Sequence, residues 1–376
     1  MTRLTFGHFQ LFHLRLDKEL KKLYLTLLLR SVAFTFTGLF VPIYIFTLGY
    51  GIKGVMLYYI ILYLTHILLM YGAAKFACRF GLKHAMLVSL PFLIGTYMCL
   101  NFLPQSMLFL FLAPILGGFH DAYFWTSFHI DFALSSHHEK RGKEVGYLEV
   151  MGRILRALGP LLGGIAIVLF GFSALFYAVI LFVLLSGIPL VLSKDRHIPI
   201  RLQLRHIFHG QPRRHALAYM GYGIDHGTLM IVWPLLIYGI VSEFHIIGLI
   251  STLALIAGIV LTIKISQLLD KYKRTRILKI GSVGFAVVWF VRIIAKSGFH
   301  IFLIDTIDSL FQPMVHVSVQ TVSYDSAKHR LVRYILFREF FLNMGFLAIL
   351  VFLFFVPSLY LGIIIAALAC FLLFFF

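Results

Sequence analysis

The chain has 376 residues, of which 60% are hydrophobic and 13% are charged, and its mean hydropathy is +0.93. A water-soluble protein of this length could not cover so much apolar surface, so the composition excludes a soluble globular protein. The net charge of +18 would suggest nucleic-acid binding in a soluble chain, but here the basic residues form short clusters between apolar runs, which excludes that partner.

Twelve apolar runs follow one another along the chain, and each is close to the ~20 residues that a helix needs to cross a bilayer. They are numbered here as spans one to six (25–48, 55–77, 84–103, 107–134, 146–170, 172–193) and seven to twelve (214–241, 246–269, 277–296, 299–324, 332–355, 357–376). The runs predict an all-α integral membrane protein with twelve transmembrane helices. Residues 1–24 are polar and basic, and they predict an amphipathic helix on the inner membrane surface.

The Lys and Arg residues give the orientation of the spans. If the N-terminus lies inside, nearly all loop Lys and Arg residues lie inside, against Lys53 and Lys296 outside. The positive-inside rule then predicts a multi-pass protein of the cell membrane with both termini in the cytoplasm. The three cysteines lack metal-ligand spacing, so we expect no metal and no cofactor.

A long polar interruption divides the chain into two sets of six spans. We expect an N-terminal bundle at 25–193, a basic cytoplasmic linker at 194–213 and a C-terminal bundle at 214–376. Segment 39–51 matches segment 231–243 at an offset of 192 residues, with prolines aligned.

Two spans share a second feature that points to an internal repeat. Asp121 and His129 stand eight residues apart in span four, as do Asp308 and His316 in span ten. Together with the aligned prolines, this spacing predicts an ancestral duplication. Secondary transporters are commonly built from such repeats, with the binding site between them.

Three short motifs carry a family resemblance. The loop after span eight, SQLLDKYKR, and the loop after span two, AAKFACRFGLKH, fit parts of the pattern G-x-x-x-D-[RK]-x-G-[RK]-[RK], with Cys78 in place of the Asp in the second. In span five, GRILRALGPLLGG fits a G-x-x-x-G-P-x-x-G-G element, with Leu155 in place of the first Gly. The matching residues are Asp270, Lys271, Arg274, Arg79, Gly81, Lys83, Gly159, Pro160, Gly163 and Gly164.

With these motifs and twelve spans, the chain resembles the major facilitator superfamily over its whole length. The resemblance implies two pseudo-symmetric six-helix bundles, a functional monomer, and secondary transport of a small solute by alternating access. The element in span five is common in exporters of that superfamily, so we expect export, and protons are a candidate coupling ion. Ala113 and Pro114 stand where many proton-coupled members carry an Arg in span four. This departure counts against proton coupling through that Arg.

Ionisable residues inside spans resist entering hydrocarbon, so they are expected to face the bundle interior. In span four, Asp121 and Trp125 share one helical stripe and His120 lies on the next. We expect six residues to contact substrate or the coupling ion: His120, Asp121, Trp125, Arg156, Asp308 and His316. For His120 and Asp121, the alternative is a structural role with polar groups of neighbouring helices.

A second set is expected to form gates between the halves. Glu149, Arg153 and Arg156 share one face of span five, and Arg156 needs a partner, for which Asp121 and Glu339 are candidates. The expected gating residues are Glu149, Arg153, Asp225, His226, Asp270, Lys271, Arg274, Arg338 and Glu339. By contrast, Arg30, Lys264 and Arg292 are expected to extend toward the lipid headgroups.

Two other functional classes remain open. A membrane-embedded enzyme could use the His and Asp residues, although the sequence contains no HExxH motif or nucleophile elbow. A receptor or lipid-handling protein without transport activity could use the same scaffold. Only a transporter would need two compartments for its activity.

Overall fold

The computed structural model describes residues 18–135, 151–152, 157–195, 203, 205–269, 274–327 and 330–376. Within these ranges the regular structure is helical, without a strand. The first half contains helices Lys18–Thr37, Phe40–Ile45, Gly51–Phe80, Leu82–Phe102, Leu108–Ser135 and Gly159–Val191, with a π-helical turn at Phe46–Tyr50. A short helix, Arg205–Phe208, precedes the second half. That half contains helices Arg213–Gly227, Trp233–Ile240, Phe244–Leu269, Arg274–Arg292, Gly298–Ser326, Leu331–Phe355 and Leu359–Ala369, with a π turn at Thr228–Val232 and a 3₁₀ turn at Cys370–Phe375.

The helices follow the predicted spans, because in lipid every backbone polar group must be satisfied within the segment. Six helical stretches of the described chain are long and apolar enough to cross a membrane by length and composition alone. They are 21–80, 82–102, 108–135, 159–191, 213–240 and 331–355. The first of these contains predicted spans one and two, and the fourth contains parts of spans five and six.

Glycines in left-handed backbone conformations divide these two long stretches. Gly49 and Gly51 have φ angles of 91° and 62°, at the boundary of spans one and two. Gly171, with a φ of 77°, separates spans five and six. These angles strain most L-residues but not glycine, so the chain turns here without a long loop.

The two halves pack in the same pattern, which gives the fold its pseudo-twofold symmetry. In the first half, span two packs on span four and span three on span four; in the second, span eight packs on span ten and span nine on span ten. Across the halves, span two packs on span eleven, and span eight packs on the helix that holds spans five and six. The protein is therefore an all-α membrane protein of two six-helix bundles, as predicted.

Small residues bring helices close together in both bundles. Gly223 of span seven and Gly345 of span eleven face each other, so a Cβ on Gly223 would lie 3.1 Å from the Cα of Gly345. Across the halves, a Cβ on Gly164 would overlap the carbonyl of Phe244, and one on Gly248 would overlap the carbonyl of Pro160. Close backbone approach of this kind is typical of helix packing in membranes.

Candidate functional site

Arg30 of span one forms a buried ion network with span four. Its guanidinium bonds to Nε2 of His120 and lies 3.6 Å from the centre of the Phe124 ring. His120 Nδ1 lies 3.0 Å from Oδ1 of Asp121. A neutral histidine satisfies both contacts, since Nδ1–H donates to Asp121 while Nε2 accepts from Arg30. Arg30 is 0% exposed, so the expectation that it extends to the headgroups is wrong.

Asp121 is the partly exposed member of this network. Its side chain is 22% exposed, whereas that of His120 is 1% exposed. Trp125 follows one turn later and stacks on His129, with ring centres 5.8 Å apart. The helix thus turns one acidic group and one aromatic ring toward the interior, as the stripe predicted.

Arg292 of span nine anchors a second ion network in the C-terminal half. Its Nη2 lies 3.3 Å from Asp305 and 3.3 Å from Asp308, both on span ten. Its guanidinium also lies over the rings of Trp289 at 4.1 Å and Trp233 at 4.8 Å. Arg292 is therefore paired inside the bundle, and the expectation that it reaches the headgroups is wrong because its helix face meets two carboxylates.

Asp225 of span seven joins the same network from the other side. The indole N–H of Trp289 donates to Asp225 Oδ1 at 2.6 Å, and Cys370 Sγ lies 3.7 Å from that oxygen. Gln312 Nε2 donates to Asp308 Oδ2 at 3.0 Å. Asp225, Asp305, Asp308 and Arg292 are called the acidic cluster below.

The neighbouring residue His226 points elsewhere. Its ring lies 5.5 Å from that of His316 and 5.9 Å from that of Phe346. Tyr222 hydrogen-bonds to His316. The structure thus separates Asp225 from His226, which the sequence had grouped as one gating pair.

The halves meet through a buried carboxylate. Glu339 of span eleven is 3% exposed, and its oxygens lie 3.9 Å from His66 Nε2 and 3.8 Å from His129 Nε2. Both histidines belong to the N-terminal half. Arg338 Nη1 lies 3.1 Å from Glu339, and His129 Nδ1 bonds to the Tyr324 hydroxyl at 2.7 Å. These five residues are called the midline contact below.

Aromatic contacts join the halves at both ends of the helices. Where span four ends and span ten ends, Phe132 lies 5.1 Å from Tyr324. At the opposite end, Phe46 lies 6.3 Å from Tyr238 and Phe172 lies 5.4 Å from Phe244. Each end is therefore joined by its own small group of side chains.

The loop after span two gains a carboxylate from another part of the chain. Asp195, just after span six, accepts a hydrogen bond from Lys83 N at 3.0 Å and contacts His84. Gly81, with a φ of 110°, leaves room for that carboxylate. Asp195 thus supplies the acid that the motif lacks at Cys78.

The basic residues of this loop make their own contacts. Arg79 stacks on Phe80 at 5.1 Å, and Lys83 Nζ donates to the carbonyls of residues 191 and 193 at 2.8 Å each.

The first helix is tied to the same region by Glu19. Burial acts to raise the pKa of this carboxyl, but hydrogen bonds from Lys22 Nζ at 2.9 Å and from Lys194 N at 2.7 Å outweigh it. The pKa of Glu19 therefore lies below its ordinary value.

The glycine element of span five lies between helices of both halves. A Cβ on Gly159 would overlap Thr35, and one on Gly163 would lie 2.9 Å from the carbonyl of Phe36, both on span one. Gly164 and Pro160 face span eight, as described above. Through this element, span five packs closely against span one and against span eight of the other half.

Several predicted residues lie outside the described part of the chain. They are Glu149, Arg153, Arg156, Asp270 and Lys271, together with the side chains of Lys264 and Arg274. The predicted partners of Arg156 therefore stay a prediction.

Sequence reasoning missed several residues of these networks, among them His66, Tyr324 and Asp195. His66 is ionisable and lies in the middle of span two, so its membrane depth was the available signal. Tyr324 stands among other polar residues at the end of span ten, where no such signal marked it. Asp195 lies 112 residues from Lys83, and nothing in the local sequence connects the two.

A comparison with family models matches part of the chain. A model of the Major Facilitator Superfamily matches residues 23–208. No curated protein matches by sequence.

The fold is that of two transporters with solved structures. The human organic anion transporter MFSD10 (TETRAN) superposes with a TM-score of 0.69 and 14% identity, over 94% of this chain and 98% of that chain. The E. coli fucose:proton symporter FucP gives 0.68 and 12%, over 94% and 96%. FucP in the outward conformation gives 0.66 and 12%, over 94% and 96%. Residues 23–208 thus match the Major Facilitator Superfamily, and 94% of the chain shares the fold of MFSD10 and FucP.

Proposed function

We propose that this transporter exports a small solute by alternating access, driven by a proton gradient. Its two six-helix halves would rock about the interface between them. In this scheme the solute site lies between the halves, and each end of the interface opens in turn. The protein would act as a monomer in the cell membrane with both termini in the cytoplasm.

The midline contact is the observation that carries this proposal. Glu339 and Arg338 of one half meet His66 and His129 of the other, all four buried, at 3.8–3.9 Å between the halves. These separations exceed a normal hydrogen bond, so the strong bond that opening would break at this contact is the 2.7 Å bond between His129 Nδ1 and the Tyr324 hydroxyl. Ionisable groups at membrane depth are costly and usually mark a transport path.

The separate contacts at the two ends support the same mechanism. Phe132 and Tyr324 close one end, while Phe46 and Tyr238 close the other. Either pair can part while the other stays in contact. Between them, Tyr63 stacks on Phe346 across the halves at 4.1 Å, which suits a solute with an aromatic or apolar part.

Export and proton coupling are each supported by a separate feature of the chain. The element Gly159–Gly164 packs between the halves, and its pattern is common in exporters. Buried acids and histidines in both halves supply groups that can take up protons. MFSD10 carries organic anions and FucP is a proton symporter by name, so the likeness to them supports transport without giving direction.

Purified protein in proteoliposomes tests the proposal. A panel of radiolabelled metabolites and drugs is followed with and without an imposed pH gradient. We expect at least one compound to move faster than in protein-free liposomes, and faster still with the gradient. A panel with no protein-dependent flux would contradict transport, and flux indifferent to the gradient would contradict coupling.

A reversible lock tests alternating access in the same assay. The double variant Phe46→Cys/Tyr238→Cys should be bridged by a bifunctional methanethiosulfonate reagent, because these two side chains contact each other across the halves. We expect the reagent to stop flux and a reductant to restore it, while each single variant keeps its flux. The native cysteines in the described chain are buried and should not interfere. Unchanged flux in the bridged double variant would contradict the mechanism.

A further inference from the structure

We infer that Asp225 is a proton-binding residue, held in the acidic cluster of the C-terminal half. The inference deepens the proposed function and rests on it, because it assigns the coupling proton to one carboxylate. The sequence analysis placed Asp225 among the gating residues, and placed Asp121 and Asp308 among those expected to contact substrate or the coupling ion.

The charges of the cluster do not balance. Three aspartates face one guanidinium, that of Arg292, and all four groups lie within the bundle. Asp225 is 2% exposed and the Asp305 side chain 19% exposed. With every carboxyl ionised, the cluster would carry two uncompensated negative charges at a site largely closed to water. Burial disfavours charged groups strongly, so at least one proton or cation must reside there.

Asp225 is the member with an unsatisfied oxygen. Arg292 bonds directly to Asp305 and Asp308 but not to Asp225. The donors to Asp225, Trp289 and Cys370, both reach Oδ1. Its Oδ2 is buried and has no hydrogen-bond partner in the described chain. A buried anionic oxygen without a donor is costly, and a proton on Oδ2 removes that charge.

Other charged groups on the helices packed against span seven do not compensate a negative charge on Asp225. Span eleven packs on span seven, but its Arg338 and Glu339 pair with each other. His226, next in sequence, faces His316 and Phe346. The electrostatic partners of Asp225 are thus Arg292, Asp308 and the Cys370 thiol.

The surroundings of Asp225 suit a proton and not a metal cation. A sodium or calcium ion needs several oxygen ligands, but the neighbours of Asp225 are an indole N–H and a thiol. No group of three His, Cys, Asp or Glu in the described residues could hold a metal ion. A proton needs only one free oxygen.

The position of Asp225 fits a role in coupling. It lies about 18 Å along the seventh span from Arg213, close to mid-membrane, at 1.5 Å per residue. Asp305 lies near the start of span ten and keeps partial exposure. The carboxylates therefore lead from one membrane face to the midplane. A proton that enters at Asp305 can bind Oδ2 of Asp225, and its release restores the carboxylate.

Infrared difference spectroscopy of the full-length protein in lipid vesicles tests the inference without a transported solute. A protonated carboxylic acid has a carbonyl band that carboxylates lack, so a pH titration in the absence of substrate reports on it. We expect the wild type to show such a band at neutral pH, and Asp225→Asn to lose it. The matched control Asp325→Asn changes an aspartate near the end of span ten and should keep the band.

A second variant covers the case in which Asp225→Asn does not fold. Trp289→Phe keeps the carboxyl but removes its indole donor, so the carbonyl band should persist at a shifted frequency. The titration is run in sodium chloride and in choline chloride. A band retained in Asp225→Asn, absent from the wild type or unmoved by Trp289→Phe would overturn the inference. A band abolished by sodium alone would overturn it in favour of a cation. Because no solute is needed, failure of the transport assay leaves this test intact.

Discussion

Replacement of Gly81 by Ala should destabilise the protein through one identifiable contact. Gly81 has φ 110° and ψ 146°, a backbone region that only glycine adopts readily. An alanine there costs about 1–3 kcal/mol in backbone strain. Its Cβ would also overlap the carboxylate of Asp195. That carboxylate accepts from Lys83 N, a bond to a charged group that is worth about 1.5–3 kcal/mol.

The two costs together predict a loss of about 2.5–6 kcal/mol in the free energy of unfolding. Equilibrium unfolding in mixed detergent micelles measures it. Gly72→Ala is the matched control, since a Cβ there meets nothing within 4 Å. In the middle of a helix this change should be neutral or stabilise by roughly 0.5–1 kcal/mol.

A double-mutant cycle separates the steric term from the strain. Asp195→Ala alone removes the hydrogen bond, and in that background Gly81→Ala should cost only the strain of about 1–3 kcal/mol. The two changes should therefore be non-additive by about 1.5–3 kcal/mol. Strict additivity, or a Gly81→Ala protein as stable as Gly72→Ala, would refute the assigned contact.

Three further predictions follow from the other networks. Arg30→Ala should lower stability by about 1–3 kcal/mol in the same unfolding assay, because it leaves Nε2 of the buried His120 without its donor; a variant as stable as the wild type would contradict the buried network. Glu339→Gln should reduce flux in proteoliposomes at least tenfold, since Arg338 would lose its counter-charge at the interface; wild-type flux would count against the midline contact. Asp270→Asn should impair flux more than Cys78→Ala, because Asp270 is the carboxylate of its motif loop whereas Cys78 replaces that carboxylate in the other loop; equal impairment would contradict this difference between the loops.

The sequence predicted the fold because membranes restrict it strongly. A span must be helical, about 20 residues long and apolar, so hydropathy alone places it. In the structure the boundaries between the apolar runs lie at Gly49 and Gly171, which have positive φ angles, and at Ser358, which caps the last helix. The residues 270–273 and most of 136–156 lie outside the described chain, so the predictions for span five and the second motif loop stay predictions.

The partners of ionisable residues were harder to predict, because helix periodicity gives a face but not its neighbour. Nearness to a span end suggested that Arg30 and Arg292 would reach the headgroups. Both instead lie inside a bundle, against His120 and against two aspartates. The end of a span permits extension toward water, but a carboxylate on the adjacent helix is a stronger reason for an Arg to stay.

The repeat predicted carboxylates but not their arginines. Asp121 and Asp308 both lie near a buried arginine in their own half, as the matched spacing suggested for the acids. Their arginines come from span one and span nine, which are not equivalent in the two repeats. Each half thus places an arginine near its aspartate, but from a span that has no equivalent role in the other half. An internal alignment cannot reveal this difference.

The location of the ion networks bears on how the halves could move. The network of Arg30 lies within the N-terminal half, and the acidic cluster lies within the C-terminal half. Both would travel intact with their bundles during a rocking motion. The electrostatic cost of separation would then fall mainly on the contacts of Glu339 with His66 and His129, among the described residues. Between Glu339 and neutral histidines that cost is small, and the 2.7 Å bond between His129 Nδ1 and Tyr324 adds to it. A proton on either histidine would strengthen the closed contact.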